Sequence, residues 1–243
     1  MESWINVGKA LEDILRPHTY PLAVKLVKDK SEFPQGTRRP EQKLALCQAL
    51  TLSRRYGWTI GVTEKDSGCP AVNLAYGWTK IIDEQTLAQF FLEAGYSSDE
   101  TAAKTIVKNI DRLEPGKYEA VIISPLTRTK IVPDVILVYG NPAQIMRLIQ
   151  GAMCKEGKKV KSELAGITAS CIGGIVRTFK TFEYQVVVPG NGDRVFAVTH
   201  DDEMIFAIPA AKANDIVVDM RAQRFAKYPI PLVMRMPPPF PGL

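Results

Sequence analysis

The chain has 243 residues, of which 46% are hydrophobic and 23% are charged, and these proportions are those of a globular protein with a substantial core. Its 31 Lys and Arg against 26 Asp and Glu give a formal charge of +5, but basic and acidic residues are interleaved, which argues against a nucleic-acid-binding face. The chain starts without the layout of a secretory signal and has no apolar stretch of about 18 residues, so we expect a cytoplasmic protein outside the membrane.

The first part of the chain predicts helices that alternate with strands. Apolar residues at helical spacing end at Pro17, and a buried run with β propensity follows. The predicted elements are a helix over 5–15, a strand over 22–27, a surface loop over 30–39, a helix over 40–56 and a strand over 58–63.

The middle of the chain predicts more helices and two strands that are apolar throughout. Such continuous apolar runs are typical of strands covered on both faces. The expected elements are a short helix over 73–78, a helix capped by Asp83 or Thr86, a helix from about 98, strands over 120–124 and 133–139, and a helix that Asn141-Pro142 opens.

The last part changes character and predicts three short strands in an antiparallel meander, over 184–188, 194–199 and 204–208. A helix over 210–227 and a Pro-rich tail over 229–243 follow, and the tail is suited to docking across a neighbour. The fold class is therefore α/β or α+β, a mixed sheet with flanking helices and a C-terminal antiparallel meander. Residues 1–228 are expected to form a single globular domain.

Four cysteines are the strongest chemical feature: Cys47, Cys69, Cys154 and Cys171. Small residues surround Cys69 and Cys171, and these let a backbone approach a bound group closely. A reducing compartment makes disulfides the weaker explanation. The spacings match neither a zinc knuckle nor a ferredoxin run, so any shared site must be assembled from distant parts of the chain.

Four thiolates are a suitable ligand set for a soft metal, either zinc or an iron–sulfur cluster. We expect a cluster of the [4Fe–4S] type, with zinc as the alternative. Two simpler readings stay open. In the first, Cys47 is only a small buried hydrophobic residue on an apolar helix face. In the second, three cysteines bind the metal, and an exchangeable ligand takes the fourth position in place of Cys154.

Several motifs together make the chain similar to the DUF169 (ArCR) family of anaerobic bacteria and archaea. They are Cys47-Gln48-Ala49-Leu50, Cys69-Pro70-Ala71, Tyr76-Gly77, Gly140-Asn141-Pro142-Ala143-Gln144, Gly166-Ile167-Thr168-Ala169-Ser170-Cys171, Gly192-Asp193-Arg194-Val195-Phe196, Asp201-Asp202-Glu203-Met204 and Pro209. The resemblance covers about residues 10–225. It implies an anaerobic setting, which favours an oxygen-sensitive cluster, and it supports Cys47, Cys69 and Cys171 better than Cys154.

Charged residues of the predicted meander suggest a second part of the site. Arg194 is suited to gripping a carboxylate or phosphate, with Glu203 orienting it, so both are candidate cofactor-binding residues. The alternatives are that the two pair with each other across neighbouring strands, or that the acidic run is only a turn.

The leading hypothesis is an iron–sulfur protein of anaerobic metabolism that transfers electrons or assists a redox step. Its partners would be a redox protein or a small anionic ligand, without nucleic acid or membrane, and a homo-oligomer is compatible with it. One alternative is a non-enzymatic protein that binds a small molecule or tetrapyrrole. Another is a zinc-stabilised scaffold. The sequence leaves open whether the protein is an enzyme.

Overall fold

A computed structural model describes residues 2–78 and 83–222 of the chain. Six strands form one sheet in the order β2-β3-β1-β4-β6-β5, and each of these neighbouring pairs is antiparallel. The strands are β1 (Leu22–Val27), β2 (Ile60–Thr63), β3 (Ala120–Pro125), β4 (Val135–Gly140), β5 (Gln185–Val187) and β6 (Met204–Pro209).

The helices lie between and around these strands along the chain, with α3, α4 and α5 together between β2 and β3. They are α1 (Glu2–Leu15), α2 (Leu46–Tyr56), α3 (Pro70–Ala75), α4 (Glu84–Glu93), α5 (Glu100–Lys108), α6 (Pro142–Met153), α7 (Arg177–Thr181), α8 (Asn191–Val195) and α9 (Ala213–Ala222). A π-helix, Ala169–Val176, runs directly into α7. Over the described ranges, no helix is both long enough and apolar enough to span a bilayer.

Helices cover the sheet on both faces. The first face carries α2, α3, α4, α5 and the π-helix, whereas the second face carries α1, α6 and α9. Because successive side chains of a strand point to opposite faces, β1 sends Leu22, Val24 and Leu26 to the first face and Ala23 and Val27 to the second. This double cover explains why β3 and β4 are apolar and buried at every position, as their sequences predicted.

The structure confirms the predicted combination of helices and strands, in its α+β form. Pairing between the strands is antiparallel, and parallel contacts occur in the described part only as two isolated bridges, Arg38 with Ile60 and Leu44 with Ser67. The second of these bridges also corrects the start of a helix. The backbone of Leu44 pairs with Asp66 and Gly68, so α2 begins at Leu46 rather than near residue 40.

The predicted meander is wrong in its middle strand. Residues 191–195 form the helical turn α8, because the Asp193 carboxylate accepts a hydrogen bond from the Gly190 N–H at 2.9 Å and closes the turn. Strands β5 and β6 then pair directly with each other. The end of the helix predicted over 210–227 and the tail over 229–243 lie outside the described residues.

Candidate functional site

Three of the four cysteines lie on the first face of the sheet, each at the start of a helix. Cys47 is the second residue of α2, Cys69 immediately precedes α3, and Cys171 is the third residue of the π-helix. Helices α2 and α3 both pack against the π-helix. Cys47 and Cys171 are only 8% and 7% exposed, and Cys69 is partly buried. The fold therefore places three sulfurs in one buried region.

The thiols of these cysteines influence one another's pKa. Burial raises the pKa of the Cys47 thiol to about 12, and negative charge on Asp193 and Cys69 adds to the rise. Burial also raises the pKa of Cys171, helped by charge on Cys69, Asp193 and Cys47. Charge on one sulfur thus acts on the others. Cys47, Cys69 and Cys171 thus lie in one region of the first face. Their joint role as ligands of a metal stays a prediction.

Backbone N–H groups near the helix starts partly offset the effect of burial on the pKa of the thiols. Burial raises the pKa of the Cys69 thiol, while the N–H groups of Val72 and Ala71 oppose that rise. The N–H groups of Gln48 and of Cys47 itself act in the same way on the Cys47 sulfur. Without a nearby cation the thiols hold their protons at neutral pH. A bound metal would supply the positive charge that deprotonates them.

Asp193 is a buried carboxylate that organises the site. It accepts hydrogen bonds from the Ser170 hydroxyl, from the Ser170 N–H at 3.4 Å and from the Gly190 N–H at 2.9 Å. It thereby ties α8 to the residue that precedes Cys171. The Cys47 Sγ lies 3.7 Å from the Gly192 carbonyl oxygen, which links α2 to the same turn. Asp193 belongs to one of the family motifs in the sequence but was not predicted as a site residue.

Two tyrosines complete the walls of the site. The Tyr76 hydroxyl donates to the Cys171 carbonyl oxygen at 3.0 Å and is fully buried, so it holds the π-helix against α3. Burial raises the pKa of Tyr139, and charge on Asp193 adds to the rise while Arg54 opposes it. The Arg54 guanidinium lies 4.1 Å from the centre of the Tyr139 ring.

Glu203 has a different partner from the one expected. It pairs with the fully buried Arg54 through two hydrogen bonds of 2.5 and 3.0 Å. Burial acts to raise the pKa of Glu203, but the hydrogen bonds from Arg54 and from the His200 N–H outweigh it, and the pKa is lowered. Arg194 instead donates to the His200 carbonyl oxygen at 2.5 Å and lies 3.6 Å from Asp201. The two predicted cofactor-binding residues therefore do not pair with each other.

Cys154 lies apart from the other three cysteines. It is exposed and follows the last residue of α6, which packs on the second face of the sheet. The sheet thus lies between Cys154 and the other three cysteines. The position of Cys154 therefore does not support its role as a fourth ligand. Within the described ranges, no group of three or more His, Cys, Asp or Glu side chains is arranged to hold a metal ion.

The fold and the candidate site together define an α+β protein with three cysteines at helix starts on one face of its sheet. The chain belongs to the DUF169 family, described as uncharacterised ArCR, whose model matches residues 10–219. A relative named "Uncharacterized protein MJ0308", from Methanocaldococcus jannaschii, is 27% identical over 213 residues, which are 87% of this chain and 91% of that protein. No solved structure matches.

Proposed function

We propose that the chain binds one iron–sulfur cluster through Cys47, Cys69 and Cys171, and that it acts in cytoplasmic anaerobic metabolism in electron transfer or in a cluster-assisted redox step. The observation that carries the proposal is the position of three thiols, two buried and one partly buried, at the starts of three helices on one face of the sheet, where charge on each would affect the others. Thiols whose pKa values are raised by burial need a nearby cation to become thiolates at neutral pH.

The donor set suits such a cluster. Thiolate sulfur is the ligand that iron–sulfur centres require, and N–H groups that point at the sulfurs stabilise the negative charge of the bound form. The chain supplies these donors at Cys69, from Ala71 and Val72, and at Cys47, from Gln48. Three sulfurs would leave one iron of a [4Fe–4S] cluster open to a ligand other than cysteine, and the cluster would supply one-electron chemistry there.

The surrounding residues position the ligands and set the local charge. Tyr76 holds the backbone of Cys171, and the Ser170–Asp193 pair holds the π-helix against α8. The negative charge of Asp193 is buried beside the sulfurs and disfavours the addition of an electron. We therefore expect a low reduction potential.

Metal and sulfide analysis of anaerobically reconstituted protein tests the proposal. We expect brown protein with near-stoichiometric iron and acid-labile sulfide. Zinc in place of iron, with no sulfide, would favour the alternative of a zinc-stabilised scaffold. Colourless protein without iron after reconstitution would overturn the proposal. The same protein reconstituted with zinc alone serves as the matched control, because zinc binding requires the thiols but no sulfide.

A further inference from the structure

A cavity of about 470 Å³ lies beside the π-helix on the side of α5, outside the region of the three cysteines at helix starts. Its inner wall is apolar and includes Ile106, Ile110, Ile167, Ile172 and Val187. The volume falls within the range of pockets that bind small molecules. Gly173 also lines the cavity, and a Cβ built on it would meet no atom within 4 Å, so this part of the wall faces open space.

The Arg177 guanidinium lies at the edge of the cavity, and one of its donor atoms is unpaired among the described residues. The Nη1 of Arg177 holds Asp111 at 3.0 Å, and its Nη2 holds Glu163 at 2.5 Å. The Arg177 Nε is buried and has no hydrogen-bond partner in the part of the chain that the structure describes. Nε and Nη2 form the planar edge of a guanidinium that binds a carboxylate through two parallel hydrogen bonds. Glu163 uses only half of that edge.

Glu163 is an exchangeable partner, whereas Asp111 is not. The side chain of Glu163 is 77% exposed, so its ion pair with Arg177 contributes little to stability. Asp111 is largely buried and also pairs with Lys180 at 3.3 Å. With Glu163 displaced, Arg177 and Lys180 against Asp111 leave one net positive charge at the rim. That charge fits one anionic group.

We propose that this cavity binds a small apolar carboxylate whose carboxylate group takes the place of Glu163 on the Nε and Nη2 of Arg177. The apolar part of the ligand would lie along Ile172 and Gly173, next to the helix that carries Cys171. The proposal stands on the geometry of the cavity and does not depend on a bound cluster.

Isothermal titration calorimetry of the full chain tests it with octanoate, 4-phenylbutyrate and indole-3-propionate, each compared with its neutral amide. We expect at least one acid to bind tenfold or more tightly than its amide. Glu163→Gln should tighten that acid severalfold because it removes the competing carboxylate. Arg177→Gln should remove the preference for acid over amide.

Two further variants separate binding from folding. Gly173→Leu places a side chain in open space, so the fold should persist while acid and amide both bind at least tenfold more weakly. Glu183→Gln, at an exposed glutamate that pairs with Lys212 away from the cavity, should leave the affinity unchanged. The proposal is overturned if none of the three acids binds, if acid and amide bind equally, or if Gly173→Leu retains the affinity of the original chain.

Discussion

Glu203 is held by Arg54 and by the backbone N–H of His200, and its ionisation contributes to stability. Its pKa in the native protein lies below the ordinary value of 4.5 because these donors outweigh the effect of burial. The unfolded state therefore takes up a proton at higher pH than the native state. The contribution is complete above pH 4.5 and is lost as the pH falls through the lowered native pKa.

Glu203→Gln should destabilise the protein because it leaves the Arg54 charge buried without its ion partner. We expect the free energy of unfolding at pH 7 to fall by about 3 kcal/mol, as measured by urea denaturation. The part of the acid dependence that comes from Glu203 should disappear. Asp201→Asn is the matched control, since this exposed carboxylate lies 3.6 Å from Arg194. Equal losses of stability in the two variants would contradict this account.

The four cysteines should differ sharply in their reaction with iodoacetamide. Cys154 is exposed, whereas burial raises the pKa of Cys47, Cys69 and Cys171 and thus suppresses the reactive thiolate. In native, metal-free, reduced protein at pH 8 we expect rapid labelling at Cys154 alone, as mapped by peptide mass spectrometry. In urea all four should react. Rapid native labelling of Cys47 or Cys171 would show that these thiols are not buried.

At the scale of elements, the residue that caps α8 makes a close backbone contact with residues 166–167, which precede the π-helix. A Cβ on Gly190 would lie 2.6 Å from the Gly166 carbonyl oxygen, whereas the nearest atom to a Cβ on Gly192 is 3.7 Å away. Gly190→Ala should therefore push α8 away from residues 166–167 and lower the free energy of unfolding by roughly 1–3 kcal/mol.

Gly192→Ala provides the control, because it adds the same methyl group to the same turn without a clash. It should leave the stability within about 0.5 kcal/mol of the original chain. Chemical denaturation of both variants measures the difference. If both lose the same stability, the cause is not the contact between Gly190 and Gly166.

Local patterns predicted the elements whose formation depends on neighbouring residues. Strand β1 has the predicted bounds, and Asn141 caps α6 through the Gln144 N–H with Pro142 at the first helical position. Residues 194–199 were predicted as a strand and 189–193 as the turn before it, but residues 191–195 form α8. The carboxylate of Asp193 decides otherwise, since it closes the turn and holds Ser170 far along the chain. The π-helix was not predicted at all.

The candidate site also combines features that local sequence predicts with features that depend on contacts between distant residues. Cys69 and Cys171 are recognisable in the sequence as candidate ligands because cysteine binds iron–sulfur clusters and because small residues surround both. Arg54 is not, because on a helix it looks like a solvated residue, and only Glu203 from a distant strand end makes its burial possible. Cys154 has the right chemistry for a ligand but lies on the other face of the sheet. Which face a residue occupies is a property of the tertiary fold.

At the scale of the whole molecule, one antiparallel sheet divides two cores. The first-face core contains Cys171, with Cys69 packed against it, while the second-face core contains α1, α6 and α9. The cavity with Arg177 also adjoins the π-helix on the first face. The first face thus combines the candidate cluster site with a candidate ligand site, and the second face serves chiefly as structural support.

The iron content of the four single Cys→Ser variants after anaerobic reconstitution tests the central claim most directly. Serine keeps the shape of each side chain but removes the sulfur ligand. We predict that Cys47→Ser, Cys69→Ser and Cys171→Ser lose most of their iron and acid-labile sulfide, while Cys154→Ser keeps the content of the original chain. Retention of iron by the variants at Cys47, Cys69 and Cys171, or its loss from Cys154→Ser, would contradict a cluster held by these three sulfurs.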